Sequence, residues 1–113
     1  SIASQNKQYC TPASVDSIVS SKGQEDHVSM AANAATKGFK VLNNLKSLLA
    51  IELLTAAQAF EFRRPAKSTP IIESMMTDVR DKIAMLEEDR LMHDDMVMAV
   101  SIIDTWIEQE IKG

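Results

Sequence analysis

The chain has 113 residues and a formal net charge of −4, so it can form one domain or part of one, and it lacks the clustered basic charge that grips nucleic acid. Hydrophobic residues make up 45%, too many for a disordered chain, and three Gly and three Pro are too few turn-formers for a β-sandwich. The composition predicts an all-α fold. The single cysteine, Cys10, excludes an intrachain disulfide, so the expected compartment is the cytoplasm. The first ten residues are polar and do not read as a signal peptide. Position 1 is Ser rather than Met, which predicts a processed or excised segment of something longer.

Residues 1–24 carry Ser, Thr, Gln, Asn, Pro and Gly among scattered apolar side chains, and read as an irregular lead-in with at most a short helical turn. Residues 25–113 read as the helical part. Met30, Ala34, Leu42, Leu45, Leu49, Leu53, Ala56 and Phe60 recur at spacings that lie broadly along one helical face. The expected helix runs from about residue 25 to 62, on the order of 55 Å at the α-helical rise. A compact domain of about 100 residues has a radius of gyration near ~13 Å, so the rest of the chain cannot enclose such a helix. Leu48, Leu49, Ile51, Leu53 and Leu54 also cover most of its circumference, and a helix apolar nearly all round is buried on nearly all sides. The covering helices are expected from missing sequence, from other subunits, or from both. A bent hairpin broken near Gly38 is the alternative.

The stretch 45–60 contains Lys46, Glu52 and Gln58 and is too short and too polar to span a membrane. Arg63-Arg64-Pro65 ends the helix, because Pro65 disfavours helical geometry at Arg64 and the arginines suit the negative end of the dipole. An anion or subunit contact is the other reading of Arg63, Arg64 and Lys67. Residues 65–69 are a linker, and Ser68 or Thr69 caps a second helix with Pro70 in its first turn. Its apolar positions are Ile71, Ile72, Met75, Met76, Val79, Ile83 and Leu86. Glu87-Glu88-Asp89-Arg90 reads as a solvated end. Asp94 or Asp95 caps a third helix, with Met96, Val100, Ile103, Ile107 and Ile111 on one face. Trp106 is expected to pack this helix with a partner for its indole N–H.

Glu25-Asp26-His27 and His93-Asp94-Asp95 are dense in ionisable groups, but neighbours on a helix point apart and do not converge on one ion, so no metal site is expected. The chain contains no GxGxxG, P-loop, HExxH or CxxC motif. From spacing alone Glu25 is a carboxylate at the mouth of a long helix, where the positive dipole end favours the ionised form and apolar burial opposes it.

Two ordered runs carry a resemblance. They are Pro12-Ala13-Ser14-Val15-Asp16-Ser17-Ile18 and Gln24-Glu25-Asp26-His27-Val28-Ser29-Met30-Ala31. Together with Leu49-Ala50-Ile51-Glu52, the Phe62-Arg63-Arg64-Pro65 turn and Glu88-Asp89-Arg90, they resemble the C-terminal part of the histidine ammonia-lyases, within the aromatic amino acid lyase family. The likeness runs from about Ser4 to Ile103. The phenylalanine and tyrosine branches typically carry Gln-Asp where this chain has Glu25-Asp26.

The resemblance implies elimination of ammonia from L-histidine to give trans-urocanate, in histidine catabolism. It implies a helical homotetramer with a central bundle of long helices, and active sites shared between subunits. It implies a methylidene-imidazolone electrophile made from an internal Ala-Ser-Gly, a tripeptide that does not occur in these 113 residues. Glu25 matches the family's active-site glutamate and is the expected catalytic residue. Gln24, its neighbour, and Ser21, where the phenylalanine enzymes carry a carboxylate, are expected pocket residues that meet substrate. The segment by itself is expected to be inactive. A non-catalytic helical oligomerisation module and a phenylalanine or tyrosine ammonia-lyase segment are the competing readings.

Overall fold

The computed structural model describes residues 1–25 and 27–112, and among them the ordered elements are helices and turns. The α-helices are α1 (Ile2–Tyr9), α2 (Ala31–Glu61), α3 (Pro70–Arg80) and α4 (Met92–Lys112), with short 3₁₀ turns at Ala13–Asp16 and Ser21–Gly23. The all-α reading stands. The chain divides into two units, Ser1–Leu45 and Lys46–Gly113, with α2 contributing to both.

In the first unit, α1 buries no residue. It is held by polar contacts with α2: the Asn44 amide donates to Asn6 Oδ1 at 2.8 Å and to Gln5 Oε1 at 3.4 Å. Lys40 lies over the Tyr9 ring, 5.5 Å from its centroid, and the Lys37 ammonium donates to the Thr11 carbonyl at 2.9 Å. A helix fixed this way carries no apolar stripe, so hydrophobic periodicity does not announce it. The lead-in is therefore more ordered than its composition suggests.

The long helix starts at Ala31, later than the expected residue 25. The reason lies in the backbone of the preceding residues. Ser20 and Glu25 pair with each other, and Val28 pairs with the Ser17 side chain, so neither Glu25 nor Val28 is in a helical turn. The first α-helical bond returns from Ala34 N–H to the Met30 carbonyl at 3.0 Å. Gly38 lies inside α2, and the helix is continuous there.

The second unit holds the core. Ala50, Ala57, Met76, Val79, Ile83, Ala99, Ile102 and Ile103 are buried together, with Leu53, Leu54, Phe60, Val100 and Trp106 packed against them. Ala50 and Ala57 sit two helical turns apart, on one face of α2, with essentially no exposure. Small side chains there bring α2 backbone close to the branched side chains of α3 and α4. The Trp106 indole N–H donates to Asp78 Oδ2 at 2.8 Å and ties α4 to α3.

Thr69 is the N-cap of α3: its hydroxyl accepts from Ile72 N–H at 3.4 Å, with Pro70 at the first helical position. Glu73 extends the cap. Its carboxylate accepts Ser68 N–H at 2.8 Å and both oxygens meet the Arg64 guanidinium, at 2.9 and 3.2 Å. Arg64 also stacks over Phe60, 4.7 Å from the ring centroid. Arg64 is thus an internal brace between the end of α2 and the start of α3, and Arg80 is another, pairing with Glu61 at 2.9 Å.

The second helix ends earlier than its apolar pattern predicts, at Arg80, and Ile83 reaches the core from a turn closed by Ile83 N–H on the Val79 carbonyl at 2.8 Å. Glu87, Glu88 and Asp89 are exposed as expected, but Arg90 is not simply solvated. It donates to the carbonyls of Ala84 and Met85 and pairs with Asp95 at 2.9 Å. Gln58 clamps the same connection, donating to the Leu86 carbonyl at 2.9 Å and accepting Leu86 N–H at 3.0 Å. The last helix begins at Met92, so Asp94 and Asp95 occupy its first turn rather than its cap, where their charge still suits the positive dipole end. Among the described residues no helix is long and apolar enough to cross a membrane.

Two measurements check this packing. The Glu73 carboxyl is held below the usual carboxylate range, first by Ser68 N–H and then by the Arg64 hydrogen bond. A lowered folded pKa gives stability that is present above the unfolded pKa and is lost as pH falls through the folded value. Glu73→Gln is therefore expected to melt below the parent at about pH 7, with the gap closing as the pH falls through the folded value of the Glu73 carboxyl. Ala57→Leu forces bulk into the α2 contact and is expected to cost ~1–3 kcal/mol in urea unfolding. The same change at exposed Ala56 is expected to stay within ~0.5 kcal/mol.

Candidate functional site

The three residues expected to meet substrate lie on one loop of the first unit, between the Ala13–Asp16 turn and α2. Two closures, one inside the other, shape that loop. The outer one is made by Ser17. Its hydroxyl donates to the Val28 carbonyl and accepts Val28 N–H, both at 3.1 Å, across eleven positions of sequence. The inner one is a backbone pair: Ser20 N–H donates to the Glu25 carbonyl at 2.9 Å and Glu25 N–H donates back to Ser20 at 3.3 Å.

Between Ser20 and Glu25 the chain turns through left-handed backbone. Ser21, Lys22 and Gly23 have φ of 53°, 56° and 88°. Gly23 suits such a position, and the two L residues before it are held at a cost of order ~1 kcal/mol each. The turn is closed by Gly23 N–H on the Ser20 carbonyl at 3.0 Å and Gln24 N–H on the Ser21 carbonyl at 3.2 Å. Strain of this kind persists only where surrounding contacts impose it, and the two closures do so here.

Ser21, Gln24 and Glu25 are all exposed on this loop. The backbone pair brings Glu25 beside Ser20, and Ser21 and Gln24 bracket the tip. The Glu25 side chain makes no hydrogen bond or ion pair among the described residues. Its carboxylate can accept a hydrogen bond from an incoming N–H and can take a proton. Asp26, part of the Glu25-Asp26-His27 group, lies outside the described residues. His93 and Asp94 are exposed on the first turn of α4, and Asp95 is engaged by Arg90. No set of three His, Cys, Asp or Glu side chains among the described residues could hold a metal ion.

Ser17 is the residue that sequence reasoning did not single out. It stands inside the first motif, but no spacing rule links a serine to a backbone eleven positions away. The second unit has a cavity of about 390 Å³ lined by Leu54, Phe62, Ile83, Leu86, Arg80 and Arg90 among others, and none of the three loop residues lines it.

Comparison with known proteins bears on this loop and on the helices behind it. The model of the aromatic amino acid lyase family matches residues 1–81. The chain is 45% identical over 103 residues to a histidine ammonia-lyase of Anaeromyxobacter sp. (strain K), covering 91% of this chain and 20% of that protein. It is 42% identical over 102 residues to the histidine ammonia-lyase of Desulfotalea psychrophila, again covering 90% of this chain and 20% of the relative. The crystal structure of histidine ammonia-lyase from Trypanosoma cruzi superposes with a TM-score of 0.87 at 40% identity, over 92% of this chain and 21% of that one. The chain thus spans about a fifth of the length of the relatives it matches. With the family model covering both loop motifs and reaching past α3, the chain belongs to the aromatic amino acid lyase family.

Proposed function

We propose that the chain is the C-terminal helical segment of a histidine ammonia-lyase, an enzyme that converts L-histidine to trans-urocanate and ammonia. The observation that carries this reading is its identity of 42–45% to histidine ammonia-lyases across nine-tenths of its length, with Glu25 in the second motif. In that reaction the Cα–N bond breaks, a Cβ proton leaves and the Cα–Cβ bond becomes double. Glu25 serves it as a carboxylate at the substrate, accepting a hydrogen bond from the imidazole or amino N–H and holding or moving a proton there. A glutamine at this position would still hydrogen-bond but could not take a proton. Gln24 and Ser21 are the pocket residues of the same reading.

The family's methylidene-imidazolone electrophile activates the substrate for loss of ammonia. It is built from Ala-Ser-Gly, and the Ala-Ser pairs here continue as Ala3-Ser4-Gln5 and Ala13-Ser14-Val15. The residues present do not fit that group, so no step through it is assigned to them. A homotetramer belongs to the proposal too. Phe39, Leu42 and Leu45 lie exposed on one side of α2, and such a row supports helix-to-helix contact between subunits. Cytoplasmic residence completes it.

Two assays test the reading. The 113-residue segment incubated with L-histidine is expected to give no rise in urocanate absorbance, and clear turnover would overturn the assignment of the electrophile to other residues. In the full-length enzyme, Glu25→Gln is expected to lower turnover about 10²-fold or more while stability moves within ~0.5 kcal/mol. Activity near the parent's would remove Glu25 from the chemistry. L-phenylalanine and L-tyrosine run alongside, and a preference for either would move the chain to those branches.

A further inference from the structure

The loop that presents Glu25 is closed at its base by one hydroxyl. Val28 lies before the first turn of α2, so helix hydrogen bonding does not use its N–H and C=O, and it is half-buried. Ser17 supplies both partners at once, as a donor and as an acceptor, which a single hydroxyl can do. The next closure inward, Ser20 with Glu25, involves the backbone of Glu25 itself. The left-handed residues Ser21, Lys22 and Gly23 lie between its two sides. Opening the outer closure lengthens the free loop and releases the restraint that holds the strained tip.

We propose that Ser17 is a positioning residue for Glu25: its hydroxyl fastens the base of the loop to Val28 and thereby fixes where the Glu25 carboxylate stands. The inference rests on the reading of Glu25 as the residue that meets substrate. Ser17 itself touches no substrate in this scheme. Its backbone, at φ −59° and ψ 136°, is ordinary extended geometry that threonine also adopts. The hydroxyl can therefore be kept or removed without changing the chain path at that point.

The test is a double-mutant cycle in the full-length enzyme, read as urocanate formation with kcat and KM for L-histidine. Ser17→Ala is expected to lower kcat about tenfold with KM within about threefold, because small misplacement of a reacting group is felt mainly in the chemical step. Ser17→Thr, which keeps the hydroxyl, is expected to stay within about threefold of the parent. In the Glu25→Gln background, with residual turnover followed over hours, Ser17→Ala is expected to cost less than about twofold further, since the carboxylate it positions is gone. A tenfold loss repeated in full on the Glu25→Gln background would overturn the proposal and leave the Glu25 reading standing. Equal losses for Ser17→Ala and Ser17→Thr would also overturn it, as packing rather than the hydroxyl would then be at stake. Near-parental activity of Glu25→Gln alone would remove the Glu25 reading and the proposal together. If Ser17→Ala does not fold, Ser17→Cys replaces it as a near-isosteric side chain with a weaker donor. A kcat for Ser17→Cys equal to the parent's would overturn the proposal, and a reduced kcat with unchanged melting would support it.

Discussion

A helix that is apolar around most of its circumference must be covered on most of its circumference, and α2 imposes that demand on everything near it. The second unit meets it on one side only. There Ala50 and Ala57 are fully buried in one cluster with residues of α3 and α4, and small side chains at those positions suit a close helix contact. Larger side chains at those two positions would hold the helices apart and leave Val79 and Ile102 with unfilled space around them. Leu49 and Ile51, on either side of Ala50, remain exposed, so α2 is apolar beyond the face that its neighbours use. The small residues define the internal contact, and the large ones outside it stay exposed.

Polar side chains do a different job. They fix the stretches that have no regular backbone pairing of their own. Ser17 on Val28, Gln58 on Leu86 and Arg90 on Ala84 and Met85 each bond main-chain groups of a connection between helices. In two of these cases one side chain satisfies both the N–H and the C=O of a single residue. Such reciprocal bonds matter because a partly buried backbone group without a partner costs about as much as a lost hydrogen bond. They also locate the connection in space, which a single bond through a rotatable side chain does less well. The Arg64–Glu73–Ser68 set does the same for the corner between α2 and α3.

This division explains which parts of the molecule were legible in the sequence. Apolar periodicity identified α2, α3 and α4, and Ser68 or Thr69 before Pro70 marked the start of α3, with Thr69 proving to be the cap, because capping chemistry is local. Trp106 was expected to find a partner for its N–H and finds Asp78. The start of α2 was placed about six residues early, because helical spacing continues through 25–30 while the backbone there is committed to Ser17 and Ser20. The lead-in was read as irregular with at most a short helical turn, and α1 went unseen because it is held by Asn44, Lys37 and Lys40 rather than by apolar contacts. Arg90 was read as solvated because nothing in a charged run says that one member turns inward. In each case the deciding contact joins residues far apart in sequence.

The loop carrying Glu25 combines these lessons. An exposed carboxylate on a free loop would sample many positions, and its usefulness at a reacting centre would fall with every one of them. Here the same hydrogen bonds that delay the start of α2 convert the preceding residues into a closed turn. The late helix start and the fixed position of Glu25 are then one event. Had the helix begun at residue 25, Glu25 would sit in its first turn with its backbone spent on helical bonds and its direction set by the helix axis. By beginning at Ala31 instead, the chain leaves Glu25 in the backbone pair with Ser20 that closes the strained turn, inside the Ser17–Val28 contact and outside α2.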